Sequence, residues 1–271
     1  MRRGVAERTI EGLYQAIERT LEAEDSVHRR GLLQALDPRV KVAGLFALIL
    51  VSVLATRLSS IAALLGMAIV LAALSRIPIR VLAARVWMAA LFFTGAVALP
   101  ALFLTPGPPL YRLPGLGWAV TAPGATSAAF LVMRAETAAT LALLLVLTTA
   151  WMHVLKALRI FRVPVVFVVV LGMTSRYILL LVETAHEMFE SRQSRTVGRL
   201  TGADSRRMAV SSAAVLLGRT LQLGGDVYLA MQARGFRGEV YLLDDFRMTA
   251  ADWLALAGFA GLSLAAVWVG R

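Results

Sequence analysis

The chain has 271 residues, of which 58% are hydrophobic and 17% charged, with 28 Lys/Arg against 17 Asp/Glu, a net charge of +11 and a mean hydropathy of +0.72. A water-soluble domain carries about 25% charged residues and no repeated runs of continuous apolar sequence, so this composition points to an integral membrane protein. The absence of Cys excludes disulfides, thiolate metal sites and cysteine nucleophiles.

About forty mixed-charge residues precede the first apolar run, a beginning unlike a cleaved secretion signal. Residues 1–41 hold eight Lys/Arg and seven Asp/Glu and read as water-facing, salt-bridged helix. Six windows then suit a bilayer crossing: Val40–Thr56, Leu58–Leu74, Ala84–Leu104, Thr137–Trp151, Val165–Val182 and Leu254–Val269. Backbone groups cannot stay unpaired in lipid, and these runs lack the alternation of barrel strands, so they are expected to be helices. The first two windows almost touch at Arg57, which demands a very tight turn. A seventh stretch, Met208–Leu223, is apolar but interrupted by Arg219.

Basic residues orient the spans. Arg29, Arg30, Arg39 and Lys41 flank the first run, Arg76, Arg80 and Arg85 follow the second, and Lys156, Arg159 and Arg162 follow the fourth, which places these connections in the cytoplasm. The opposite connections carry only Arg57, Arg112 and Arg134. One of them, 105–136, is dense in Pro and Gly and reads as an irregular outer loop. A complete crossing by Val165–Val182 would put the basic stretch from Arg192 to Arg237 outside, so this run is expected at the cytoplasmic boundary, with Arg176 turned toward water or a partner. Five spans result, four before a soluble insert and one after it. Six spans with both ends inside is the alternative.

Within the insert, Glu183–Arg199 reads as a helix in which Glu183, Glu187 and Glu190 precede Arg192, Arg195 and Arg199. Gly202 and Asp204 punctuate the chain, and a second helix runs from about Ser205 to Gly235. It ends on Ala233-Arg234-Gly235, followed by Phe236-Arg237-Gly238. A small residue, an arginine and a glycine would stop the helix and project a guanidinium beyond its last turn, where it can bind a carboxylate bidentately. Ser194-Arg195-Thr196 ends the first helix in a similar way, and ordinary surface arginines are the competing reading for both.

In order along the chain stand Leu36-Asp37-Pro38-Arg39-Val40-Lys41, Leu147-Thr148-Thr149, Leu155-Lys156-Ala157-Leu158-Arg159 with Val163-Pro164, Leu171-Gly172-Met173-Thr174-Ser175-Arg176-Tyr177, and the two arginine-bearing helix ends. With spans before and after the insert, this order resembles the transmembrane T component of energy-coupling factor transporters, in its cobalt-type CbiQ branch. The resemblance implies an all-α integral membrane protein of about five transmembrane helices, with a cytoplasmic coupling-helix insert before the last span. Its parts would be an N-terminal cytoplasmic helical region 1–38, a four-helix membrane region 39–156, coupling helices 157–250 and a last span 251–271. It would sit in a bacterial or archaeal cytoplasmic membrane. The resemblance further implies that the insert seats on two cytoplasmic ABC-type ATPase subunits. There Arg234, with Ala233 and Gly235, fits the second family motif. The first motif is degenerate and fits Arg195 or, in a competing alignment, Arg192, with Arg176, Glu190 and Arg237 in support. A substrate-binding membrane subunit for cobalt or nickel and a small accessory membrane subunit complete the implied complex. ATP and Mg would bind the ATPases, and this chain would bind no cofactor or metal and catalyse nothing.

Other chemistries leave weaker marks. The near-balanced charge of the soluble parts argues against nucleic acid, and the excess positive charge in the membrane region suits lipid headgroups. His28, His153 and His186 form no close pair. No phosphate-cradling Gly/Lys/Ser run is present. Arg134 and Glu136 invite the reading of a self-contained channel or secondary transporter, and a non-coupling scaffold is a third class.

Overall fold

Asp37 opens the first long helix by accepting the Arg39 N–H on its carboxylate at 2.8 Å, with Pro38 at the first helical position where its missing N–H costs nothing. In this computed structural model the described residues are 31–106, 108–112, 119–195, 202–236 and 248–270, together with Gly12. They are helical apart from one short ribbon, so the protein is an all-α membrane protein. In chain order the helices are α1 Leu32–Ala35, α2 Pro38–Leu54, α3 Leu58–Leu74 and α4 Ile79–Leu82. A π-helical stretch, Ala83–Trp87, joins α4 to α5 Met88–Leu104. Strands β1 Pro109–Arg112 and β2 Ala119–Thr121 pair antiparallel, with a register shift between Pro109 and Tyr111. Then follow α6 Ala122–Thr148, α7 Trp151–Ile160, α8 Val165–Arg195, α9 Gly202–Ala233 and α10 Ala250–Gly270.

The described residues divide into two compact units, one holding 31–157 with 248–270 and the other holding 158–236. The first is a helical bundle. Its centre is α6, which packs on α2, α3 and α5, while α10 returns from the far end of the sequence to lie beside α2 and α3. Leu45, Leu48, Ile61, Leu141 and Leu144 are buried at these crossings, and Phe259 of α10 joins them. Gly44 makes that junction close: a Cβ placed there would collide with the Phe259 ring. The expected tight turn between the first two runs is three residues, Ala55–Arg57, and the Thr56 N–H donates to the Gly270 carbonyl at 3.2 Å, so the end of α10 closes it.

The segment 105–136 is less irregular than its Pro/Gly content suggests, because α6 already begins at Ala122. Thr121 caps it by accepting the Gly124 N–H, Pro123 occupies the first turn, and Gly124 leaves room for the backbone of Ala101 and Leu102. Arg134 and Glu136 therefore lie within a 27-residue helix rather than beside a loop.

The second unit contains the α8–α9 pair. The apolar run Val165–Val182 and the charged stretch that follows it are one helix of 31 residues, about 46 Å at 1.5 Å per residue. Among the described residues, Ala122–Thr148, Val165–Arg192 and Ala250–Gly270 are long and apolar enough to cross a bilayer, with Leu58–Leu74 and Met88–Phe103 shorter apolar helices.

Candidate functional site: the ends and groove of the α8–α9 hairpin

Arg192 ties the hairpin together near its turn. Its Nη1 donates to the Met208 carbonyl at 3.1 Å and its Nη2 to Ser211 Oγ at 3.5 Å, which makes α8 and α9 antiparallel neighbours. Arg195, the last residue of α8, is exposed. The two arginines that compete for the first motif are thus differently placed: the guanidinium of Arg192 is engaged inside the hairpin, and that of Arg195 faces solvent. Glu190 pairs with His186 one turn earlier at 3.2 Å, and Arg176 is exposed midway along α8.

At the other end of the hairpin, α9 stops in a complete glycine cap. The Phe236 N–H donates to the Met231 carbonyl at 3.0 Å, the Gly235 N–H to the Gln232 carbonyl at 2.9 Å, and Gly235 adopts φ +78°. These are the two reversed hydrogen bonds of a Schellman motif, in which the left-handed residue is glycine because a Cβ there costs energy. The cap fixes Arg234 as the last residue before the reversal, exposed beside the exposed Ala233. The arginine therefore stands exposed at the C-terminal tip of a 32-residue helix, where a guanidinium can bind a carboxylate bidentately. Arg237 lies outside the described residues.

Between the two ends, α8 and α9 leave an apolar groove of about 430 Å³. Val166 to Leu181 form one wall, Thr220 to Met231 the other, and Phe236 closes one end. The rest of the hairpin is also apolar and uncovered, with Phe167 60%, Leu217 62% and Leu221 71% exposed. Exposed apolar surface on this scale marks a face that meets lipid or another protein.

The bundle carries a second polar constellation, which the sequence reading did not single out. Lys41 is 3% exposed, and its Nζ donates to the Thr148 carbonyl at the end of α6 at 3.0 Å. Asp252, in the first turn of α10, accepts the Asp37 N–H at 2.7 Å on one oxygen and the Thr249 N–H and hydroxyl on the other. Asp37 and Asp252 supply the negative charge that Lys41 feels. The set joins the starts of α2 and α10 to the end of α6. Its signal in the sequence is a lysine set inside the first turn of an apolar helix, four residues after an aspartate. Elsewhere in the bundle, Arg134 donates to the Ala55 carbonyl at 2.6 Å and lies 5.4 Å from the Phe130 ring, while Glu136 is buried.

The sequence model of the CbiQ cobalt transport protein family matches residues 30–242. An uncharacterised protein of Methanocaldococcus jannaschii is 30% identical over 239 residues, covering 86% of this chain and 81% of its own. The cobalt transport protein CbiQ of Rhodobacter capsulatus is 31% identical over 156 residues, 56% of this chain and 63% of that protein.

Proposed function

The chain belongs to the CbiQ cobalt transport protein family, and from that premise we propose that it is the transmembrane coupling subunit of an ATP-driven energy-coupling factor importer of divalent transition metal, most closely cobalt. In this reading the α8–α9 hairpin is the coupling element. Arg234 and Arg195 insert into acidic grooves of two cytoplasmic ABC-type ATPase subunits, which bind ATP and Mg. Arg192 holds the two helices together so that they move as one lever. The uncovered apolar faces of α8 and α9 meet membrane lipid and the small substrate-binding membrane subunit, which carries the metal, with an accessory membrane subunit beside it.

The single observation that carries the proposal is the glycine-capped end of α9, which fixes an exposed arginine at the tip of a long helix. Coupling then has a physical basis. ATP binding and hydrolysis change the separation of the ATPases, and contacts that differ between the two states pass that change to the membrane partner. In the cytoplasmic membrane, α2, α3, α4–α5, α6 and α10 cross, and the apolar half of α8 lies at the cytoplasmic boundary. This arrangement keeps the basic stretch from Arg192 onward on the side where basic residues accumulate.

The test is uptake of cobalt and of nickel by proteoliposomes holding all subunits, alongside ATP turnover. Arg234→Ala is expected to lower uptake by at least about tenfold, the loss of one buried charge-assisted pair at an interface. Lost assembly places the defect in docking, and retained assembly places it in transmission. Unchanged ATP-dependent uptake removes Arg234 from the mechanism. Uptake by this subunit alone without ATP replaces coupling with a self-contained transporter.

A further inference from the structure

Two corners of the chain repeat one pattern: Ser75-Arg76-Ile77-Pro78-Ile79 leads from α3 to α4, and Phe161-Arg162-Val163-Pro164-Val165 leads from α7 to α8. The backbone repeats with it. At the first corner the Arg76 N–H donates to the Ala73 carbonyl and the Ile77 N–H to the Ala72 carbonyl, both at 3.0 Å. At the second the Arg162 N–H donates to the Arg159 carbonyl at 3.2 Å and the Val163 N–H to the Leu158 carbonyl at 3.4 Å. These are the same two reversed hydrogen bonds that end α9, with an arginine in the place that Gly235 holds there.

Arginine is not what such a cap favours. Arg76 has φ +54° and Arg162 φ +62°, the left-handed region where a Cβ is penalised and glycine is not. The cap uses backbone groups only, so what arginine adds over glycine is its side chain, and a residue kept in an unfavourable conformation points to a use for it. Both arginines are exposed, and neither pairs with a described carboxylate.

The surroundings say what they meet. From Arg57 to Val182 the chain has a single acid, Glu136, and it is buried. In the bundle unit the described acids are Asp37, Glu136 and Asp252, all buried, while Val70 and Leu74 of α3 are exposed just before Arg76 and Arg80 is exposed just after it. In the hairpin unit Arg162 is flanked by the exposed Phe161, Val166 and Phe167. The exposed acids of α8 begin only at Glu183, about 27 Å along the helix from Val165 at 1.5 Å per residue. Those of α9 are Asp204 in its first turn and Asp226, about two turns before its end. Each corner is thus a cation at the edge of exposed apolar surface, on a connection that the basic residues place in the cytoplasm, which is where a membrane presents its headgroups.

We propose that Arg76 and Arg162 are anchor sites for the phosphodiester of anionic lipid headgroups. A guanidinium offers paired N–H donors to two phosphate oxygens, and each cap sets it just past the last turn of its helix. Arg80 and Arg159, within four residues of the capping arginines, add to the positive charge at each corner. The inference needs only a membrane-spanning chain, and stands apart from the coupling role and the metal carried.

Full-length protein in nanodiscs of phosphatidylcholine, with and without phosphatidylglycerol, is released for native mass spectrometry. Arg76→Gly and Arg162→Gly are each expected to retain about fivefold less phosphatidylglycerol than the unaltered chain, with phosphatidylcholine retention level. Arg76→Lys and Arg162→Lys are expected to recover most of that loss, because the charge is kept. Since glycine suits the left-handed cap, the glycine variants should hold or raise Tm in lipid-free detergent, while the Tm gain conferred by phosphatidylglycerol shrinks. A lower Tm in detergent would make the arginines structural. Unaltered phosphatidylglycerol retention, or equal loss of both lipids, would leave no headgroup site. Displacement of the retained lipid by inorganic phosphate would give the sites to a soluble anion, and lost assembly with ATPase subunits at unaltered lipid retention would give them to an acidic protein surface. Each of these four results overturns the proposal.

Discussion

The bundle and the hairpin are built from similar apolar residues and use them in opposite ways. A third of the most apolar window of α6 is buried by other helices, whereas none of the corresponding window of α8 is. Leu141 and Leu144 vanish among α2, α3 and α5, while Leu217 and Leu221 of α9 face outward. In the bundle the buried Lys41 donates to the Thr148 carbonyl and the buried Asp252 accepts from Asp37 and Thr249, whereas Arg195 and Arg234 at the hairpin ends are exposed. One region is closed on itself and the other is prepared for something else. Apolar composition alone cannot tell the two apart, because hydropathy reports what avoids water and not what covers it.

The sharpest way to break this contrast is to remove one member of the buried charged set. Lys41→Met leaves two carboxylates without their counter-charge, and Asp252→Asn leaves a buried ammonium less compensated; each is expected to cost about 3–5 kcal/mol, read as a fall in Tm in detergent micelles. Next, Leu141→Ala is expected to cost about 2–5 kcal/mol by opening a cavity. Leu221→Ala should stay within about 0.5 kcal/mol in the isolated subunit. Comparable losses at the two leucines would show that the hairpin is as tightly packed as the bundle. Gly44→Ala sharpens the comparison further. Its methyl group collides with Phe259 and is expected to cost about 1–3 kcal/mol, recovered in part by Phe259→Leu. A smaller and local effect belongs to Gly235→Ala, where open space surrounds the new Cβ and only the positive φ is penalised, at about 1 kcal/mol confined to the end of α9. Hydrogen exchange at Phe236 should speed up while global stability is unaltered.

Much of the helical framework was legible, since apolar runs of bilayer length have few other solutions. The tight connection at Arg57 followed from two runs with almost nothing between them. The start of α6 was not legible in the same way. Pro123 and Gly124 look like loop residues until Thr121 is seen to cap the helix and Gly124 to press against the end of α5. Lys41 was read for topology, as a cation flanking a span, because its carbonyl partner lies 107 residues away and its acidic neighbour Asp252 farther still. At the hairpin, the glycine after Arg234 was visible as a helix stop. The engagement of Arg192 with Met208 and Ser211 required the antiparallel pairing of α8 and α9, which no local pattern encodes.

The π-helical stretch Ala83–Trp87 holds one more consequence. Each extra residue in a wider turn offsets the helical phase by about 100°, so the face that α5 turns toward α6 is set by those five residues as much as by its own sequence. Trp87, at the junction, donates its indole N–H to Thr140 Oγ1 at 3.2 Å and pins the offset in place. A single-residue deletion between Ala83 and Trp87 would thus act at a distance. It would swing every side chain from Met88 to Leu104 around the helix axis and present the α6 contact surface with the wrong side of α5, although not one residue of that surface had been altered.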